Sequence, residues 1–157
     1  MAKRYWLMKS SPANYSIQDL EREGQDHWDG VRNYTARNFM RDDMKIGDQV
    51  LFHHSNAKPP GVAGIATVCR EGYPDHTAFD RKSRGYDPKS SRDEPRWVMV
   101  DLEFVEGFAE VVPMETLRAT KGLDEFPLLQ RGQRLSIMPI TRKQFEIVRR
   151  LGRAPRQ

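Results

Sequence analysis

Val98, Val100, Leu102 and Phe104 alternate with Trp97, Met99, Asp101 and Glu103. A period of two over so many positions demands a strand with one apolar face, and that face must be covered by a packed layer. An all-helical fold is thereby excluded. Residues 4–9 form a second strand, with Tyr5 and Leu7 on one side and Trp6 and Met8 on the other; being apolar on both faces, it belongs inside a sheet. The stretches 49–55 and 62–70 read as two more strands, separated by the connector Lys58-Pro59-Pro60-Gly61, and residues 135–138 as a last one.

Helix signals alternate with these strands. Ser16-x-x-Asp19 caps a short helix that turns Ile17 and Leu20 inward and stops at Gly24; Asn33 caps another running to about Arg41. Pro113 opens a helical turn with Met114 and Leu117, and Thr141-x-x-Gln144 is a capping box for a helix carrying Phe145, Val148 and Leu151 to Gly152. The expected class is mixed α/β (α+β). With 157 residues, the chain suits one domain with a single modest core, expected over residues 1–152, followed by a basic tail, 153–157.

The lone cysteine, Cys69, excludes an internal disulfide and reads as a small buried thiol in a reducing compartment. The apolar stretch after Lys3 and Arg4 is too short for a signal peptide, and no run is long enough to span a membrane. A cytoplasmic location without a membrane partner is expected. Formal net charge is +4, which permits an anionic partner. Its distribution says more. Arg81, Lys82, Arg84, Lys89, Arg92 and Arg96 cluster in one turn-rich stretch, while Arg131, Arg134, Arg142, Lys143, Arg149, Arg150, Arg153 and Arg156 face the single acid Glu146. Arg37, Arg81, Lys82, Arg84 and Lys89 are candidate phosphate contacts; ordinary solvated surface is the alternative. Residues 71–95 are polar and rich in turns yet hold Tyr73, Phe79 and Tyr86, so the loop is expected to be functional or disordered, its aromatics arguing against pure disorder.

Trp28-Asp29-Gly30-Val31-Arg32-Asn33-Tyr34, followed by Ala36-Arg37-Asn38-Phe39, is too polar for core and too aromatic for a linker. Aromatic faces, guanidiniums and amides at this density supply what is needed to stack a base, read its edge and hold its phosphate. Trp28, Asn33, His54 and Ser55 are the leading base-contact candidates, with Tyr86 and Trp97 as further walls of an aromatic slot. Each has a structural alternative: Trp97 can be core, Trp28 can close a sheet edge, His54 can be a satisfied imidazole, and Asn33 is also a helix cap. The Asp29-Gly30 pair next to Trp28 marks a tight turn.

Other chemistries fit poorly. His53 and His54 point to opposite faces of a strand, and neither a Cys pair nor a His-x-x-x-His spacing completes a metal set, so neither metal nor cofactor is expected. Ser55 lacks a nucleophile elbow, and Gly61-x-x-Gly64 lacks the pattern of a phosphate loop.

Six blocks, in order and covering nearly the whole chain, resemble the EVE domain of the PUA-like superfamily, which also holds the YTH readers more distantly. They are Tyr5-Trp6-Leu7-Met8-Lys9-Ser10; Trp28 to Tyr34; Gly47-Asp48 with Leu51-Phe52-His53-His54-Ser55; Gly61 to Ala66; Tyr86-Asp87-Pro88-Lys89-Ser90; and Pro95-Arg96-Trp97-Val98-x-Val100-Asp101. The resemblance implies a PUA-like pseudo-barrel of about five to six mostly antiparallel strands flanked by short helices. It also implies a pocket for a flipped modified base, 5-methylcytosine or 5-hydroxymethylcytosine in DNA being favoured. Lys9, Ser10, Trp28, Val31, Arg32, Asn33, Tyr34, His54, Ser55, Tyr86 and Trp97 would form it. Ser11 departs from the family pattern, which has Glu after Lys-Ser. A modified RNA or tRNA element is the alternative ligand, and an enzyme acting on the flipped base, using Asp29 or Asp101, is the alternative class.

Overall fold

A computed structural model describes residues 3–132 and 135–153. Arg134 and Arg156 of the C-terminal basic cluster, and tail residues 154–157, lie outside the described residues. Six strands form one sheet in the order β2-β5-β4-β3-β1-β6: β1 Tyr5–Ser10, β2 Gln25–Trp28, β3 Gln49–His54, β4 Gly61–Pro74, β5 Val98–Pro113 and β6 Ile137–Ile140. Only β1 and β3 run parallel; every other pairing is antiparallel. As its two apolar faces require, β1 lies inside the sheet, between β3 and β6.

Helices cover both faces. On one side Trp6, Met8, Val50, Phe52, Val98, Val100 and Leu102 pack with Ile17 and Leu20 of α1 (Ile17–Glu23) and Ala36 of α2 (Tyr34–Asn38). On the other, Leu7, Leu51, Val62, Ile65 and Met138 pack with Leu117 of α3 (Met114–Ala119) and Phe145 and Val148 of α4 (Arg142–Arg153). The alternation along each strand thus serves two cores, and Leu123, Phe126 and Leu128 complete the second. The capping boxes form as read: Ser16 Oγ accepts from Asp19 N–H at 3.1 Å, and Thr141 Oγ1 accepts from Gln144 N–H at 3.0 Å.

Several boundaries differ from expectation. β4 and β5 run on to Pro74 and Pro113, because register shifts between them absorb polar and glycine positions that interrupt the pattern. The Asn33-capped helix passes after Asn38 into a π-helical turn, Phe39–Asp43. Arg153, read as tail, is the last residue of α4, and its guanidinium pairs with Glu106 at 2.7 Å. Cys69 is half-buried on β4 rather than buried, its thiol pKa raised by burial and by Asp101 and Glu103. Among the described residues no helix is long and apolar enough to cross a membrane.

Candidate nucleic-acid interface

A cleft of about 770 Å³ opens between the end of β1 with its following turn and the end of β2 with the segment after it. Lys9 to Ser11 and Asn14–Tyr15 form one wall, Asp26 to Arg32 the other, and Arg84 and Ser136 stand at the margin. Local bonds explain both walls. Ser10 Oγ donates to the Tyr15 carbonyl at 2.6 Å and closes the β1–α1 turn, while Tyr15 Oη donates to Asp26 Oδ2 at 2.7 Å and ties wall to wall. Burial and that carboxylate raise the phenol's pKa, so Tyr15 stays a neutral donor.

Trp28 is the last residue of β2, paired with Val100 of β5, and its indole meets Phe52 edge-on at 5.3 Å. That contact holds the ring half-buried, with Val31 beside it almost fully enclosed. Trp28 thus belongs to a packed edge strand, and the turn follows at Asp29-Gly30. Gly30, at φ +78°, makes the reversal.

A buried carboxylate fastens this wall to the long loop. Asp75, at 0% exposure, accepts from Gly30 N–H at 2.8 Å and Arg32 Nη1 at 3.0 Å through Oδ2, and from Thr77 N–H at 2.8 Å and Thr77 Oγ1 at 2.6 Å through Oδ1. Burial alone would raise its pKa; the bonds from Thr77, Gly30 and Arg32 outweigh it and hold the carboxyl below its usual range. Arg32 also donates from Nε and Nη2 to the Gly85 carbonyl, at 2.9 and 2.6 Å. A Cβ at Gly85 would stand 2.4 Å from Arg32 Nη2, so a side chain there would push the guanidinium out of this position. Arg32 therefore lines the cleft as a brace, with most of its donors spent on protein.

Charge is divided around the opening. Lys9, Arg32 and Arg84 are cationic; Asp26 and Asp29 are anionic, with His27 between them, Nδ1 at 3.2 Å from Asp26 and Nε2 at 3.4 Å from Asp29. Burial lowers the Lys9 pKa. An apolar indole face with acceptors and cations around its edge can stack a planar ring, accept its amino protons and offset a phosphate. Asp26 and the Tyr15 bridge were not singled out in the sequence; the signal, an acid two residues before Trp28 on a strand, carries no distinctive spacing. Among the described residues no group of three His, Cys, Asp or Glu could hold a metal ion.

Of the residues read as pocket, Lys9, Ser10, Trp28, Val31 and Arg32 line this cleft, and so does Ser11, the departure from the family pattern. The others do not. His54 is buried, and its Nε2 accepts from Ile17 N–H at 3.1 Å, satisfying a helix-start donor. Asn33 Oδ1 is occupied by Ala36 N–H at 3.0 Å, its capping role. Ser55 touches the site through its backbone, donating to the Ser10 carbonyl at 2.9 Å. Trp97 is 6% exposed and outside the cleft lining; its Nε1 donates to Asp87 at 2.7 Å and its ring stacks on Tyr34 at 4.8 Å. Tyr86 is exposed on the loop outside the cleft lining.

Among the phosphate candidates, Arg84 reaches the cleft margin, and Arg81, Lys82 and Lys89 are exposed on the same loop. Arg37 is committed, donating to the Arg96 carbonyl at 2.9 Å and to Asn38 Oδ1 at 2.8 Å. Asp101 lies outside the cleft lining, bonded to the Tyr73 phenol, whose pKa burial and that bond push up to about 12.

The EVE domain model matches residues 4–151. Human thymocyte nuclear protein 1 is 42% identical over 162 residues, covering 92% of this chain and 72% of that protein. A crystal structure of a Pseudomonas syringae protein superposes with a TM-score of 0.90 at 44% identity, covering 94% of this chain and 99% of that one. The human protein in complex with DNA containing 5-methylcytosine superposes with a TM-score of 0.88 at 40% identity, covering 98% and 100%. With that model matched over residues 4–151 and relatives at least 40% identical along nearly its whole length, the chain belongs to the EVE domain family.

Proposed function

We propose that this protein binds DNA and takes a flipped, modified cytosine, 5-methylcytosine or 5-hydroxymethylcytosine, into the cleft beside Trp28, without catalysing a reaction on it. One observation carries the reading: a relative with the same fold over nearly the whole of both chains binds DNA containing 5-methylcytosine. The cleft's chemistry supports it. Trp28 offers a stacking face, Val31 an apolar neighbour for a methyl group, and Asp29, 40% exposed at its side chain, an acceptor for an exocyclic amine. Extruding a base costs a few kcal/mol, and stacking returns about 1–3 kcal/mol per base.

A buried methyl is worth roughly 0.8 kcal/mol, so preference over plain cytosine should be several-fold rather than absolute. A binding role without catalysis is supported by Asp101, one of the two candidate carboxylates, which is engaged with Tyr73 outside the cleft lining. The test is titration of matched duplexes differing only in one 5-methylcytosine, with the corresponding RNA alongside. The methylated duplex should bind several-fold tighter than the plain one. Equal affinity overturns the modified-base reading, and tighter binding of methylated RNA would move it to RNA.

A further inference from the structure

Outside the cleft, one aromatic ring is presented to solvent in an unusual setting. Tyr34, 51% exposed, lies nearly parallel to Trp97, ring centres 4.8 Å apart and planes 20° from each other. Trp97 is fixed behind it by the bond from Nε1 to Asp87. The Arg37 guanidinium is 4.7 Å from the Tyr34 ring centre and 5.9 Å from that of Trp97. Being near both rings, it stands beside the stack, and the face of Tyr34 turned away from Trp97 stays open. A buried tryptophan and an arginine thus hold an aromatic face outward.

Its position relative to the cleft gives that face a use. Arg32, which lines the cleft, has its guanidinium 5.4 Å from the Trp97 ring centre, and Trp97 is the ring under Tyr34. Those two contacts set Tyr34 no more than about 10 Å from the guanidinium on the cleft wall, a span of up to about three nucleotides at the ~3.4 Å axial spacing of one DNA strand. We propose that Tyr34 is a second stacking platform, receiving a nucleobase that flanks the one in the cleft. The inference rests on the nucleic-acid reading of the cleft but assigns a separate residue and a separate base. Stacking on Tyr34 is indifferent to sequence, since every base has a π-face, so the platform raises affinity and leaves selection of the modified base to Trp28.

The experiment uses duplex and single-stranded oligonucleotides with and without one 5-methylcytosine, each carrying 2-aminopurine two or three positions away. Tyr34→Leu keeps an apolar cover over Trp97 and removes the aromatic face; Tyr34→Phe retains the face. Tyr34→Leu should weaken binding about tenfold for modified and plain oligonucleotides alike and lose the 2-aminopurine quenching seen with the parent, whereas Tyr34→Phe should keep both. A melting curve checks that each variant is folded. Parental affinity and quenching in folded Tyr34→Leu would overturn the platform, even where modified-base preference stands. Loss of that preference in the parent, with Tyr34-dependent quenching retained, would overturn the cleft reading and leave the platform.

Discussion

His53 and His54 are consecutive, similarly buried and chemically identical, yet the fold uses them differently. His54 closes the start of α1 through a single hydrogen bond, while both ring nitrogens of His53 are buried without a hydrogen-bond partner. Burial, with smaller contributions from Lys9 and His54, lowers the His53 pKa to about 4 from 6.5. A histidine that resists protonation when folded leaves stability intact above the unfolded value and removes it as pH falls from about 6.5 to 4, where the unfolded chain takes up a proton and the native one does not. The shift corresponds to about 3 kcal/mol at 1.36 kcal/mol per unit. His53→Leu should therefore flatten the pH dependence in that window, measured by urea unfolding at pH 7 and pH 4.5. An unchanged slope between parent and variant would remove His53 as its source. Such roles were not legible in the sequence, where a histidine pair on a strand looks the same whether it binds, caps or is merely enclosed.

At the scale of elements, what could be read was what leaves a local signature. The Ser16 and Thr141 capping boxes and the alternation from Val98 to Phe104 each appear in the structure because they are set by neighbours in sequence. β2 was missed because Gln25-Asp26-His27-Trp28 is an edge strand, paired on one side with β5 and lacking an apolar stripe. The loop from Asp75 to Trp97 showed its length, charge and aromatics but not what fixes it; its order comes from the bonds of Asp75, Asp87 and Arg32 to partners distant in sequence. Its cations remain free to act. Arg81, Lys82, Arg84 and Lys89 make no ion pair among the described residues. Each phosphate neutralised on a duplex contributes about −0.9 to the log–log salt slope. Arg81→Gln with Lys82→Gln should reduce the slope by about 1.8 and weaken all duplexes equally, with methylated-to-plain preference unchanged. A parental slope would return both residues to ordinary surface.

For the whole molecule, the ends of β1 and β2, near each other in sequence but separated by three strands in the sheet, meet at one cleft by way of the turn after β1 and the Tyr15–Asp26 bond. The ordered motifs pointed to the right family because they are the segments that build this arrangement. The same blocks hold His54, Asn33 and Trp97, whose side chains are engaged within the protein and outside the cleft lining. Trp28 is thus the residue on which the account turns. Binding of matched methylated and plain duplexes by Trp28→Ala, compared with the parent and accompanied by a melting curve, tests it most directly. The variant should stay folded and bind both duplexes with equal, weakened affinity. A folded Trp28→Ala that still prefers the methylated duplex to the parental extent would contradict the assignment of this cleft.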